Sequence, residues 1–224
     1  MKIAVFTCIT NGVDALIEDQ PSGADYYIFS DNDPKSKRWI YKPVKDIFLD
    51  PRRVARYYKI LVQHQLPEYD VTIWMDGSIQ MLVEPKKVVD LFLSENHVGT
   101  YRHPERDCIY DEGEECKRLF LDDPYLIGLQ MKRYKEEGYP KHNGLVETKV
   151  VVRDNSPHAK LFNITWFEEI ALNSKRDQLS FNYTKWKLDM PTTVISPPIN
   201  DHGYFKYHKH KKSRAETNRE HSIW

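Results

Sequence analysis

The chain has 224 residues, long enough for one sizeable domain that buries a core of its own. Its 33 lysine and arginine residues balance 33 aspartate and glutamate residues, which argues against a nucleic-acid partner and against attraction to an anionic membrane. The three cysteines, Cys8, Cys108 and Cys116, lack the spacing of a zinc site or a disulfide framework, so we expect reduced thiols.

The first half of the sequence alternates short β-rich runs with a helix. Strands are predicted over residues 2–8, 26–30, 39–44 and 71–75. A helix is predicted to begin with Asp50 as N-cap and Pro51 at the first helical position, and to end near Leu66. Its apolar stripe has helical spacing and contains Val54, Tyr57, Tyr58 and Leu61.

The second half continues this alternation. Further elements are predicted as helices over 85–93, 124–138 and 157–173 and as strands over 98–101 and 145–153, with 106–117 as a variable loop. The alternation predicts an α/β fold with one open, mostly parallel sheet covered by helices on both faces. We expect a single domain over residues 1–200, followed by a basic, histidine-rich tail over 201–224 that completes the active site.

Three of the predicted strands end in polar or small residues. Because ligands bind such sheets beyond the carboxyl ends of the strands, residues 7–11, 31–33 and 76–78 are expected to converge on one crevice. The candidate ligand contacts on the first two of these segments are Thr7, Cys8, Ile9 and Asp31.

Asp76 is a lone carboxylate at the end of an apolar strand, where a charge is costly unless it has a partner. Gly77 follows it and leaves room for a ligand to approach the backbone. A divalent cation or a ribose hydroxyl would be a suitable partner. The alternative is that Asp76 caps the turn that follows, and the pattern alone leaves both interpretations open.

Two charged segments are candidates for the rest of the site. Arg52, Arg56 and Lys59 form one cationic helix face, which either neutralises a pyrophosphate or is simply exposed to solvent. No glycine-rich phosphate loop is present, so side chains would have to bind the phosphates. Asp177, ionised beside Arg176, is the catalytic candidate, as a base for an acceptor hydroxyl or as a stabiliser of a cationic transition state. The alternative is a structural ion pair, or an N-cap for a turn over 179–183.

An ordered set of motifs resembles a known family. The set consists of Trp74-Met75-Asp76-Gly77-Ser78, His103 with Arg106 and Tyr110-Asp111-Glu112, Gly144-Leu145-Val146-Glu147, and Trp166 with Arg176-Asp177-Gln178-Leu179-Ser180-Phe181. The stretch from Arg56 to Ser78 resembles the helix, linker and Asp-x-Asp strand of GT-A glycosyltransferases. Over about residues 2–183 the chain more closely resembles a glycosyltransferase-like family known from plant cell-wall and mucilage proteins, formerly catalogued as a domain of unknown function.

The resemblance implies a GT-A, Rossmann-like domain. It also implies transfer of a hexosyl or deoxyhexosyl group from a UDP-linked sugar to a hydroxyl group of a glycan or glycoconjugate. The implied donor contacts include Arg56, Lys59, Asp76, Gly77 and Ser78. The implied substrate contacts are His103, Arg106, Trp166 and Gln178.

A divalent cation, Mn²⁺ or Mg²⁺, is implied at Asp76. The second aspartate of the usual motif is replaced by Ser78, a weaker and neutral metal ligand. GT-A enzymes often return a C-terminal histidine to the metal, and His202 is the first choice here. His208 and His210 lie in a basic run that is interpreted as a solvated tail.

Two other classes of function compete with this interpretation. A metal-dependent hydrolase would use Asp76, His103 and the C-terminal histidines, but the sequence has no His-Glu-x-x-His signature. A non-catalytic module would bind a sugar nucleotide, a glycan or, through residues 206–214, a nucleic acid, and the zero net charge disfavours the last. Because no apolar run reaches the length of a signal-peptide core or a membrane span, we expect a soluble, cytoplasmic or otherwise intracellular protein.

Overall fold

A seven-stranded sheet forms the centre of the structure, a computed structural model that describes residues 1–45 and 50–210. The strands in the described part of the chain are β1 (Ile3–Ile9), β2 (Asp25–Ser30), β3 (Ile40–Pro43), β4 (Val71–Met75), β5 (Ile79–Met81), β6 (Val98–Arg102), β7 (Val146–Asp154), β8 (Thr193–Ile195) and β9 (Phe205–Tyr207). The α-helices there are α1 (Pro51–Ile60), α2 (Pro85–Phe92), α3 (Ile109–Arg118), α4 (Pro124–Glu136), α5 (Pro157–Leu172) and α6 (Gln178–Lys187).

The strand order in the central sheet is β3-β2-β1-β4-β7-β6-β8. The first four strands are parallel, β7 is antiparallel to both of its neighbours, and β8 is parallel to β6. The predicted α/β class with a mostly parallel sheet is therefore confirmed. The reversal of β7 was not predicted, and it brings the amino end of β7 to the edge where β1 and β4 end.

Both faces of the sheet are buried, as a parallel sheet requires. Alternate residues of β1 illustrate this, since Ala4 and Phe6 join a cluster with α1, α5 and α6, whereas Ile3 and Val5 join a cluster with α2. Burial of each large apolar side chain contributes about 1.5–3 kcal/mol to folding. The helices on the two faces therefore hold the strand ends in fixed positions.

Helix α1 begins as the sequence predicts. Asp50 accepts a hydrogen bond from the Arg52 backbone N–H at 2.8 Å, and Pro51 occupies the first turn, where its missing N–H costs nothing. The helix ends at Ile60 rather than near Leu66, because the chain tightens into a 3₁₀ turn over Val62–His64.

Two helical segments were predicted as non-helical. The predicted loop over 106–117 contains most of α3, whose acidic first turn and basic last turn complement the helix dipole. The predicted turn over 179–183 is part of α6. Both helices join α4 in a third apolar cluster that includes Ile109, Cys116, Ile127, Met131, Leu179 and Tyr183.

The segment beyond residue 200 returns to the domain. Strand β9 pairs antiparallel with β5, and Phe205 is buried in the cluster on the α2 face. Residues 211–224 of the predicted tail lie outside the described residues. Among the helices of the described chain, none combines the length and the apolar character needed to cross a membrane.

Candidate functional site

A cavity of about 300 Å³ lies at the edge of the sheet where β1 and β4 end. Its wall is formed by the end of β1 with the loop after it, helix α1, the end of β4, the start of β7 and the segment that leads into α6, together with Leu121 and His210. Its volume is at the lower end of the range for small-molecule sites. The predicted crevice beyond the strand ends is thus a real cavity.

A buried ion-pair network lies in the wall of the cavity. Lys59 is 1% exposed, and its Nζ donates to Asp177 Oδ2 at 2.6 Å and to Thr148 Oγ1 at 3.2 Å. Arg56 Nε lies 3.3 Å from the same carboxylate oxygen. Lys59 Nζ is also 3.7 Å from Asp76 Oδ1, so one lysine connects the two aspartates that the sequence singled out.

The environment of Asp177 keeps its carboxylate ionised. Burial on its own would raise the pKa of Asp177, but the charges of Arg56 and Lys59 outweigh burial and hold the pKa well below its usual range. A carboxylate with such a low pKa is a poor proton acceptor. Its position suits a fixed negative charge better than a general base.

Asp76 has its backbone in a turn and its side chain at the cavity. Its backbone carbonyl accepts from Ile79 N–H at 2.9 Å, which closes the turn after β4. Its carboxylate lines the cavity, and Oδ1 accepts a hydrogen bond from Trp74 Nε1 at 2.8 Å. A Cβ atom on Gly77 would lie 2.9 Å from both Asp14 Oδ2 and Ile9 Cγ1, so only glycine fits there without displacing a neighbour.

The histidine that reaches the cavity is His210, whereas His202 was the predicted choice. His210 Nδ1 lies 2.6 Å from Asp14 Oδ1, and this hydrogen bond raises the pKa of His210. Because β9 pairs with β5, the chain after Tyr207 runs back towards Gly77. His202 instead packs against the rings of Tyr101 and Tyr204 and does not line the cavity.

Three other predicted ligand contacts do not face the cavity. Ser78 is buried, and its carbonyl accepts from His208 N–H at 2.8 Å. Thr7 is buried beneath the cavity, on the side of Trp39. Asp31 accepts from the Asn11 backbone N–H at 2.7 Å and so supports the loop after β1 from outside. Cys8 and Ile9 line the cavity as predicted.

The predicted substrate contacts divide into three groups. Gln178 lines the cavity, where its Oε1 accepts from Arg176 Nη2 at 2.9 Å. Trp166 is fully buried and donates to the Asp177 backbone carbonyl at 3.1 Å, so it supports the site from behind.

His103 and Arg106 lie away from the cavity, at the start of α3. Arg106 Nε donates to the buried Glu112 at 2.7 Å, and His103 Nδ1 accepts from the Arg106 backbone N–H at 3.1 Å. Burial lowers the pKa of His103, which favours the neutral ring. These contacts fix the turn that leads into α3.

Sequence reasoning missed part of the lining: Asp14, Thr148, Lys149, Lys175 and His210. Lys175 adjoins the Arg176-Asp177 pair and had a signal in the sequence. Thr148 and Lys149 had none, because their position depends on the reversed direction of β7.

A metal site needs several ligand atoms close to one another. Among residues 1–45 and 50–210, one group of three has its ligand atoms within 4.8 Å of one another: Cys108, Asp111 and His142. This group lies near the start of α3 and outside the cavity lining. The carboxylates and the imidazole at the cavity form no such group.

Comparison with protein families gives one match. A sequence model of the family described as "TOD1/MUCI70, glycosyltransferase-like domain" matches residues 31–202, which is more than three quarters of the chain. The matched range includes β3 to β8 and all six described helices. Asp76 and Asp177 both fall within it.

Two curated proteins of Arabidopsis thaliana are similar to the chain. One is "Probable hexosyltransferase MUCI70", 28% identical over 155 residues, which make up 65% of this chain and 27% of that protein. The other is "Alkaline ceramidase TOD1", 23% identical over 152 residues, which make up 63% of this chain and 33% of that protein. The alignments thus cover about a quarter to a third of the length of these relatives.

Two solved structures are similar at 12% sequence identity. One is the apo crystal structure of mouse xyloside xylosyltransferase 1, with a TM-score of 0.49 over 91% of this chain and 90% of that chain. The other is the apo structure of the bifunctional glycosyltransferase WbbM, with a TM-score of 0.47 over 88% of this chain and 39% of that chain.

Proposed function

Because the chain belongs to the TOD1/MUCI70 glycosyltransferase-like family, we propose that it transfers a sugar from a UDP-linked donor to a hydroxyl group of a glycan or another glycoconjugate. The observation that carries this proposal is the chemistry of the cavity. Lysine and arginine side chains from α1 and from the segment before α6 surround Asp76 and Asp177 at the carboxyl edge of the sheet. Cations suit a diphosphate, and carboxylates suit sugar hydroxyls.

The nucleoside, the diphosphate and the sugar of the donor would each contact a different part of the cavity wall. The nucleoside would contact the end of β1 at Cys8 and Ile9, next to Gly77. The diphosphate would face Arg56 and Arg176. The sugar would lie by Asp76, the most accessible carboxylate of the buried network, with 31% of its side chain exposed.

Of the two catalytic roles expected for Asp177, its surroundings support electrostatic stabilisation. The carboxylate is held by Lys59, Thr148 and Arg56, and its lowered pKa makes it a weak base. A fixed negative charge beside the sugar would stabilise an oxocarbenium-like transition state without taking up a proton. Gln178, next in the chain and on the cavity wall, would contact the sugar or the acceptor.

Hydrolysis is a second candidate because one relative is named an alkaline ceramidase. The cavity argues against a lipid amide as substrate, since charged side chains from α1, β7 and the segment before α6 make up much of its wall. Two hydrocarbon chains would leave these charges desolvated and unpaired. A polar diphosphate would satisfy them.

The proposal is tested by binding and turnover on the same purified protein. We expect UDP to raise the melting temperature, because a ligand at 100 times its Kd stabilises the folded state by about 2.7 kcal/mol. We also expect release of UDP from at least one UDP-sugar, measured by a coupled assay against UDP-glucose, UDP-galactose and UDP-xylose. Indifference to UDP at millimolar concentration, together with release of fatty acid from ceramide, would establish the second candidate instead.

A further inference from the structure

We infer that the cavity binds the donor diphosphate with lysine and arginine side chains alone and needs no divalent cation. This inference rests on the proposed function, since it concerns how the same donor is held. The Mn²⁺ or Mg²⁺ ion implied by the resemblance fits the donor atoms of the cavity poorly. Three features of the wall lead to this conclusion.

The first feature is that Asp76 already has partners. Its Oδ1 accepts from Trp74 Nε1 at 2.8 Å and lies 3.7 Å from Lys59 Nζ. A divalent cation at this carboxylate would have to approach the buried positive charge of Lys59. Hard cations also need several oxygen ligands, and one partly engaged carboxylate offers few.

The second feature is that, within residues 1–45 and 50–210, Asp76 belongs to no group of three carboxylate, histidine or cysteine ligand atoms lying within 4.8 Å of one another. Ser78, at the second position of the motif, is buried and does not line the cavity. Asp14 and His210 line it without forming such a group with Asp76. Asp177 is 2% exposed and faces Lys59, Arg56 and Thr148.

The third feature is an excess of positive charge in the wall. Six lysine and arginine side chains line the cavity against three aspartates. Lys149 and Lys175 are paired with carboxylates just outside the lining, but Arg56 and Lys59 share the single charge of Asp177. Arg176 donates to the neutral Gln178 at 2.9 Å, and the charges of Asp177 and Glu112 also stabilise its guanidinium.

Guanidinium groups among these cations suit a diphosphate. Guanidinium groups donate two parallel hydrogen bonds to phosphate oxygens, and Arg56 and Arg176 approach the cavity from two different elements, α1 and the segment before α6. Lys59 is fixed behind them by burial. The charge that a divalent cation would supply is thus present in the protein itself.

The test is the affinity for UDP, measured by isothermal titration calorimetry in EDTA, in Mn²⁺ and in Mg²⁺. We expect the three dissociation constants to agree within about twofold, which is the variation expected when no specific contact is gained or lost. A Kd in Mn²⁺ or Mg²⁺ at least tenfold below that in EDTA would overturn the inference and leave the proposed function intact. Absence of binding in all three conditions would overturn the proposed function itself.

Variants further separate binding by side-chain cations alone from metal-dependent binding. Arg56→Gln should weaken UDP binding in EDTA about tenfold, the usual effect of losing one charge-assisted hydrogen bond. Arg118→Gln, which changes an arginine of α3 that is 67% exposed and lies outside the cavity, should leave the affinity unchanged. Equal affinity of Arg56→Gln and Arg118→Gln would contradict the inference.

Asp76→Asn should change UDP affinity differently for binding by side-chain cations alone and for binding through a metal ion. If lysine and arginine side chains alone bind the diphosphate, the substitution removes a nearby negative charge, so UDP affinity should stay the same or rise, with no response to Mn²⁺. If a metal at Asp76 bridged the phosphates, the same substitution would abolish a Mn²⁺-dependent gain in affinity, and that result would overturn the inference. The melting temperature of each variant without ligand confirms that it is folded.

Discussion

Lys59 is the residue on which the geometry of the site most depends. It is buried, and its ammonium group contacts Asp177 and Thr148 and lies near Asp76. Transfer of a lysine into the interior is costly, and the ion pair offsets that cost only while both partners are present. The pair therefore gives the site a defined geometry rather than a large gain in stability.

The first prediction concerns the loss of one partner of this pair. Asp177→Asn should lower the free energy of unfolding by about 3–5 kcal/mol, because it removes the closer partner of the buried Lys59 and leaves only Asp76, 3.7 Å away, to offset its charge. Urea denaturation measures this change. The double variant Lys59→Met with Asp177→Leu should recover at least half of the loss, since apolar side chains of similar size often replace a buried pair without penalty. A loss below about 1 kcal/mol in the single variant, the range of a surface pair, would contradict this account.

The second prediction concerns pH. The pKa of Asp177 in the folded state is below its ordinary value of 3.8, so the pair contributes its full stability above that value and loses it as pH falls below it. The difference in free energy of unfolding between the wild type and Asp177→Asn should therefore shrink between about pH 5 and pH 3. A difference that stays constant over this range would mean that Asp177 is not held in its ionised form.

At the scale of elements, the turn from β4 to β5 joins the site to the C-terminal segment. Gly77 packs against Ile9 and Asp14, and β5 pairs with β9, which leads to His210. The sequence predicted the ends of β1 and β4 because their apolar runs and turn residues are local signals. It could not predict the pairing of β5 with β9, since three-residue strands carry no periodic pattern.

The third prediction compares the same substitution at two glycines. Gly77→Ala should destabilise the fold by about 1–3 kcal/mol, because its Cβ would meet Asp14 and Ile9 at 2.9 Å and force them to move. Gly128→Ala, inside α4 and 3.8 Å from the nearest side-chain atom, should stabilise it by about 0.5–1 kcal/mol through helix propensity. Urea denaturation of both variants decides the matter, and changes of the same sign would contradict the packing described at Gly77.

Helix α3 shows the other limit of sequence reasoning at this scale. Residues 106–117 were predicted as a variable loop, whereas Ile109–Arg118 form a helix with Gly113 near its middle. A Cβ atom at Gly113 would lie only 3.0 Å from the side chain of Met131 in α4. Glycine at this position therefore lets α3 and α4 pack closely together. Tertiary packing overrode local propensity here.

At the scale of the whole molecule, neutral net charge and a cationic cavity coexist. The 33 positive and 33 negative side chains balance over the chain, yet the cavity wall has six lysines and arginines and three aspartates. Composition predicted the absence of a strong overall field, but it could not predict this local excess. The reversed β7 contributes to this excess. Lys149 lies near the amino end of β7, and because β7 is antiparallel to β4, that end lies beside the carboxyl end of β4 at the cavity.

The fourth prediction follows from that local charge. UDP affinity should fall several-fold when salt is raised from about 0.1 M to 1 M, as the screening length shortens from roughly 10 Å to 3 Å. The slope should be smaller in Arg56→Gln, which lacks one of the cations, and unchanged in Arg118→Gln. Calorimetric titrations at four salt concentrations measure the slopes. Equal slopes in wild type and Arg56→Gln would indicate that the diphosphate lies elsewhere.

The contact between Asp14 and His210 joins residues 196 positions apart. During synthesis on the ribosome, a nascent chain therefore lacks part of the cavity wall until nearly all of the described residues have been made. Proteolytic clipping between β8 and His210 would have the same effect on a mature molecule while leaving the seven-stranded sheet in place. A nucleotide-affinity resin should accordingly retain chains that extend through His210 more strongly than clipped ones, which makes donor binding a practical assay of chain integrity.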